Sequence, residues 1–109
     1  MKTTFNVQEP YRSQLLRGEK SIEGRLNKGK FSNLMPGDKI ELENTGQIFL
    51  VERIAHYKNF QTMLQQEDIS KIIPGISKIE EGITLYHQFY TPVQEKEYGV
   101  LAIHLKKEE

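Results

Sequence analysis

At 109 residues the chain has room for one domain around one core and too little for two, so residues 1–109 are read as a single unit. Its 15 basic and 15 acidic side chains cancel to zero formal charge, which leaves no global field to attract nucleic acid; only local clustering can charge a cleft. Cysteine is absent, which excludes disulfides, thiolate chemistry and cysteine-bound zinc. No apolar run approaches the ~20 residues of a membrane span and no signal-peptide core is evident, so a soluble, cytoplasmic protein is expected.

Residues 3–7 alternate β-branched or aromatic side chains with polar ones and predict a first strand. Pro10 suits the first turn of a helix whose apolar stripe is Tyr11, Leu15 and Leu16, and Gly18 ends it. This helix is expected to deliver Lys20 to the surface. A polar-apolar alternation then sets Ser21, Glu23 and Arg25 against Ile22, Gly24 and Leu26, placing three polar side chains on one strand face. A basic loop, Asn27-Lys28-Gly29-Lys30, follows.

Pro36-Gly37-Asp38 is turn chemistry, and the strict alternation of residues 39–43 marks a half-buried strand. Asn44-Thr45-Gly46 turns the chain into residues 47–54, an apolar run that completes a hairpin. Asn59 reads as the N-cap of a helix carrying Phe60, Met63 and Leu64, and Ile69, Ile72 and Ile73 continue the helical spacing up to Pro74-Gly75. Ser77 and Glu80 match a capping box, with Ile79, Ile83, Tyr86 and Tyr90 as the buried stripe of the helix it opens. Thr91-Pro92 is expected to end that helix and residues 93–97 to form a charged linker. Residues 98–105 are apolar on both faces and predict an interior strand, with residues 106–109 as a solvated tail. Strands dominate the first half, helices cluster between residues 59 and 90, and the turns imply antiparallel pairing. The fold class expected is therefore α+β, with a small twisted barrel.

Glycine-rich phosphate loops, dinucleotide fingerprints and zinc-protease motifs are missing, and His56, His87 and His104 lack ligand-like spacing, so neither a metal nor a cofactor is expected. The polar residues that carry chemistry are Lys20, Glu23 and Arg25, with Glu80 or Glu81 as a more distant carboxylate. A partly desolvated lysine can act as a base or hold an anion, a carboxylate can relay a proton, and an arginine offers a fork for phosphate or a plane for a base. Tyr11, Tyr57 and Phe60 are either core or stacking platforms for a base, core being the commoner fate of such positions.

The stretch Gly18-Glu19-Lys20-Ser21-Ile22-Glu23-Gly24-Arg25-Leu26 resembles the Gly-x-Lys-Thr/Ser-Ile-Glu-x-Arg segment of the ASCH domain, a small branch of the PUA-like superfamily. Pro36-Gly37-Asp38, Tyr57-Lys58-Asn59-Phe60, residues 82–90 and the closing Tyr98-Gly99-Val100-Leu101-Ala102-Ile103 are similar to the rest of that family's pattern. The resemblance implies a PUA-like β-barrel of about five to six strands flanked by helices, with a cleft beside the strand that starts at Lys20. It also implies RNA or a small nucleoside or nucleotide as the partner, bound by Lys20, Ser21, Glu23 and Arg25, with Lys20 and Arg25 on phosphate and Glu23 accepting from a base. Some small bacterial members hydrolyse the acetyl amide of acetylcytidine with a Lys, a Thr three residues later and a distant Glu. The alternative is therefore a hydrolase acting on a modified nucleoside or on RNA, with Lys20 and Glu23 as its acid/base pair. Here Lys20 matches the lysine, Glu23 stands where that branch has Thr, and Glu80 or Glu81 would supply the carboxylate.

Overall fold

The computed structural model describes residues 3–109. In chain order it has β1 (Thr3–Phe5), α1 (Tyr11–Leu16), β2 (Ile22–Leu26), a 3-10 turn (Gly29–Asn33), β3 (Lys39–Leu42), β4 (Ile48–Tyr57), α2 (Phe60–Gln66), α3 (Ile69–Ile72), α4 (Ile79–Tyr86), α5 (Pro92–Tyr98) and β5 (Val100–Lys107). The α+β class holds, and β3 and β4 form the expected hairpin, pairing antiparallel with Lys39 opposite Leu50.

The barrel does not close. One mixed sheet runs β1-β3-β4-β5-β2, with β1 parallel to β3, and β1 and β2 are its two edges. Among the described residues no ladder joins those edges; side chains reach across instead. Phe5 gives its carbonyl to the β3 side, through Glu43 N–H, so its neighbours' carbonyls point off the edge. There Lys30 Nζ donates to the Thr4 carbonyl and Arg25 Nη2 to the Asn6 carbonyl. Two basic side chains thus satisfy edge acceptors that a closing strand would have taken.

β5 is interior, lying between β4 and β2, and its two apolar faces feed two cores. Leu101, Ile103 and Leu105 pack with Phe5, Leu15, Ile40 and Phe49 on one side. Val100 and Ala102 pack with Ile22, Phe60, Met63, Leu64 and Ile72 on the other, beneath the helices. The helical layer is fastened by caps: Asn59 accepts from Thr62 N–H at the start of α2, as its position predicts.

Five expectations change. The Ser77/Glu80 box does not form; Lys78 is the N-cap of α4 and has no side-chain cap. That helix stops at Tyr86, so Tyr90 lies in the turn beyond it. The charged linker is helix α5, opened by a reciprocal box in which Thr91 Oγ1 accepts from Gln94 N–H and Gln94 Oε1 accepts from Thr91 N–H. Pro92 sits at its first turn, where a missing N–H costs nothing, so it starts a helix rather than stopping one. The solvated tail is also shorter than expected, because Lys106 and Lys107 extend β5 opposite Leu50 and Phe49.

Among the described residues no helix is long and apolar enough to cross a membrane.

Candidate functional site

The site begins where α1 ends. Gly18, at φ +79, takes the left-handed conformation that breaks the helix, and its N–H is caught by the Leu15 carbonyl. The next two N–H groups, of Glu19 and Lys20, both donate to Gln14 O, and Ser21 N–H donates to Lys71 O of α3. The chain is thereby folded inward before β2 starts. Lys20 is buried, only 4% exposed, rather than delivered to the surface.

Its ammonium has a full set of acceptors. Lys20 Nζ donates to the Ile22 and Ile72 carbonyls, each at 2.7 Å, and lies 3.2 Å from Glu23 Oε1. Three acceptors for three N–H bonds fit the protonated amine. Burial pushes Lys20 below its ordinary value, and Glu23 opposes that shift. Glu23, 7% exposed, receives Arg25 Nε on its second oxygen at 2.7 Å. Burial alone would push its carboxyl up, yet Lys20 and Arg25 together hold it below the usual carboxylate range. The result is a buried carboxylate clamped between two cations, with Arg25 tied onward to the Asn6 carbonyl at the sheet edge.

Beside this cluster is a cleft of about 260 Å³. Its polar floor is Lys20, Glu23, Gly24 and Arg25, and the chain leaving β1, from Asn6 to Gln8, forms one rim with Tyr11. Tyr86, Phe89 and Tyr90 give it an aromatic wall, and Ile72, Ile73 and Leu85 line it as well. That wall is braced from behind, since Tyr86 and Tyr90 both stack on buried Phe60, with ring centroids 4.0 and 5.4 Å away. Gly24 lets the wall approach: a Cβ there would lie closer than 3.0 Å to Tyr86 Oη. The Tyr86 hydroxyl has no hydrogen-bond partner among the described residues, and burial, with the nearby Glu23 charge, keeps it protonated well above the ordinary range. The cleft therefore offers a fixed acceptor in Glu23 and a donor in Tyr86.

The expected residues divide. Lys20, Glu23 and Arg25 come together and line the cleft. Ser21 does not line it; its backbone fastens β2, donating to Lys71 and accepting from Leu105. Glu80 and Glu81 are exposed in the first turn of α4 and away from the lining. Tyr11 does line the cleft, Phe60 is core, and Tyr57 faces elsewhere, donating its hydroxyl to Glu67. Sequence reasoning missed Tyr86, Phe89 and Tyr90 as walls, because helical spacing says that Tyr86 and Tyr90 face inward but not that the surface they meet is a hollow. It missed Gly24 as well, although a glycine inside a strand pattern signals a close approach.

The ASCH domain family model matches residues 5–109, essentially the whole of this fold and its cleft. The chain belongs to the ASCH family. Two solved structures share the fold over nearly all of their lengths. The crystal structure of hypothetical protein PH0355 is 40% identical, covers 99% of this chain and 100% of its own, and superposes with a TM-score of 0.92. The solution NMR structure of protein PF0455 from Pyrococcus furiosus is 37% identical, covers 100% of this chain and 99% of its own, and gives a TM-score of 0.84. No curated protein matches the chain. The ASCH segment around Lys20 is thus the segment that builds the charged floor of the cleft.

Proposed function

We propose that this ASCH domain binds a nucleotide of RNA, taking its base into the cleft over Glu23. The observation that carries the reading is the Glu23 carboxylate: it is fixed between two cations and lines an aromatic-walled hollow of about 260 Å³. That volume lies just below the ~300–1,000 Å³ of sites for drug-sized ligands and suits a single base or nucleoside. Each Glu23 oxygen has one protein partner and a lone pair to spare, so it accepts from a ring N–H or amino group. Tyr86 Oη donates to a neighbouring carbonyl, and the tyrosine walls cover the base faces.

Lys20 holds Glu23 rather than phosphate, because its N–H bonds are spent on Ile22, Ile72 and Glu23. Arg25 Nη1, which has no partner among the described residues, is the group for phosphate at the mouth. The same arrangement favours binding over hydrolysis. A carboxylate clamped by two cations is a weak base, the lysine is engaged with Ile22, Ile72 and Glu23, and the hydroxyls lining the cleft are phenolic.

The test is an amide NMR titration of labelled protein with each common ribonucleoside and with a short single-stranded RNA containing acetylcytidine, followed over hours. Amides of Glu23, Gly24, Arg25 and Tyr86 are expected to shift, with the acetyl methyl signal unchanged and the shifts at Glu23 and Gly24 lost in Tyr86→Phe or Glu23→Gln. Absence of shifts at millimolar ligand refutes base binding. Growth of an acetate signal replaces binding with hydrolysis.

A further inference from the structure

A second hollow, of about 320 Å³, adjoins the cleft and shares Arg25, Phe89 and Tyr90 with it. Its remaining lining includes Lys28 and Lys30, Phe31 and Gln94, so among the described residues three cations and no acid border it. In a chain of zero net charge this is a local concentration of one sign.

Lys28 and Lys30 have no acid partner among the described residues, whereas Arg25 is paired through Nε with Glu23, and all three lie over aromatic rings. Arg25 lies 4.6 Å and Lys30 5.6 Å from the centroid of the Phe31 ring, and Lys28 lies 5.0 Å from that of Tyr98. Lys30 spends one N–H on the Thr4 carbonyl and keeps two. Phe89, half exposed, lines both hollows and so presents an aromatic ring to a base that leaves the first cleft.

We infer that this hollow is a second subsite, a groove that carries the backbone of a single-stranded polynucleotide out of the base cleft. Phosphate lies among Arg25, Lys28 and Lys30, and the adjacent base stacks on Phe89. The inference rests on the base-binding reading of the first cleft and makes the ligand an oligonucleotide rather than a free nucleoside. Arg25 joins the two subsites, clamping Glu23 with Nε and presenting Nη1 to the first phosphate.

The test uses the full chain, its Lys28→Ala/Lys30→Ala variant and its Phe89→Ala variant, none of which removes a buried side chain. Affinities for homopolymeric single-stranded RNAs and for the matching nucleosides are measured across a salt series. The double lysine variant is expected to lose affinity for RNA by on the order of 10-fold and to lower the salt slope by roughly one per lysine, with nucleoside affinity unchanged. Phe89→Ala should weaken RNA at every salt concentration by a similar factor. Repeating the series with DNA distinguishes backbone charge alone, if both polymers lose equally, from contact with ribose, if the loss is confined to RNA; either result supports the groove. Unchanged RNA affinity and salt slope in the lysine variant overturn it, as does an equal loss for nucleoside and polymer. If Glu23→Gln leaves nucleoside and RNA affinity untouched while the lysine variant loses RNA, the groove stands and the base-cleft reading fails.

Discussion

Gly24→Ala should destabilise this protein, although elementary backbone physics predicts the reverse. Gly24 lies inside β2 and outside the left-handed region, so alanine fits its backbone, and replacing glycine there should add about 0.4–1 kcal/mol by restricting the unfolded chain. The added Cβ, however, would sit closer than 3.0 Å to Tyr86 Oη and 3.0 Å from both Met63 Cε and Tyr86 Cζ. Neither neighbour yields freely: Met63 is fully buried, and Tyr86 is stacked on Phe60. Overpacking of this kind costs about 1–3 kcal/mol, so the clash outweighs the entropic gain and the net loss is about 0.5–2 kcal/mol. Tyr86→Phe removes the closest atom, so in the double variant part of the loss returns, as a coupling of about 1 kcal/mol. Denaturant unfolding of the wild type, both single variants and the double variant measures this cycle. A Gly24→Ala protein as stable as the wild type, or strictly additive losses, would refute the claim that Gly24 exists to admit Tyr86.

Two further predictions concern titration. Because Glu23 is held below its ordinary value of 4.5 in the fold, the unfolded chain takes up that proton first as pH falls; the stability from this carboxylate is present above that value and is lost progressively below it. NMR titration of Glu23 Cδ should show the depressed midpoint, and Glu23→Gln should cost about 3–5 kcal/mol at neutral pH by leaving two cations beside a neutral amide, with a flatter acid limb of stability against pH. An ordinary carboxyl midpoint, or an unchanged acid limb in the variant, would contradict the clamp. Burial and the bond to Glu67 push the Tyr57 phenol up to about 12. Here the unfolded chain loses its proton first, so this contribution is complete below the ordinary value of 10.0 and disappears as pH rises from there towards about 12. Tyrosinate absorbance should show a late phase that Tyr57 shares with Tyr86 and Tyr90, and Tyr57→Phe should remove one tyrosine's share of it; an unaltered late amplitude would count against the Tyr57 reading.

The sheet strands were legible because their information is local: period-two alternation, turn residues at 36–38 and 44–46, and a last strand apolar on both faces. Closure was not, because whether β1 meets β2 depends on the curl of the whole sheet and on what Arg25 and Lys30 do at its edges. Local signals also compete. Thr91-Pro92 carries a helix-start reading and a helix-stop reading in the same two residues, and the reciprocal bonds to Gln94 decide between them. Glu95 shows the limit most plainly: in sequence it is one charge of a linker, whereas in the fold it is buried, accepts from Phe60 N–H at the start of α2 and meets His87 at 3.0 Å. No spacing rule reports a partner 35 residues away. For the site, the motif around Lys20 supplied the floor, and tertiary packing alone supplied the walls.

The open edge and the cleft are one feature of the fold. A ladder between β1 and β2 would pair the Asn6 carbonyl with a backbone N–H and lay main chain across the place where the guanidinium of Arg25 now reaches. With the edges apart, Arg25 crosses from β2 to the chain leaving β1, and the same side chain that bridges the seam holds Glu23 through Nε. Lysine cannot replace it, since a single ammonium lacks a planar fork with which to hold the carboxylate and the carbonyl in fixed directions. The orientation of the Glu23 carboxylate, which the proposed function assigns to ligand recognition, is therefore set by the residue that spans the unclosed sheet and is fixed by folding. Preorganisation of this kind lowers the cost of ordering side chains on binding. It also explains how a small neutral domain can keep a buried carboxylate ionised next to an aromatic wall.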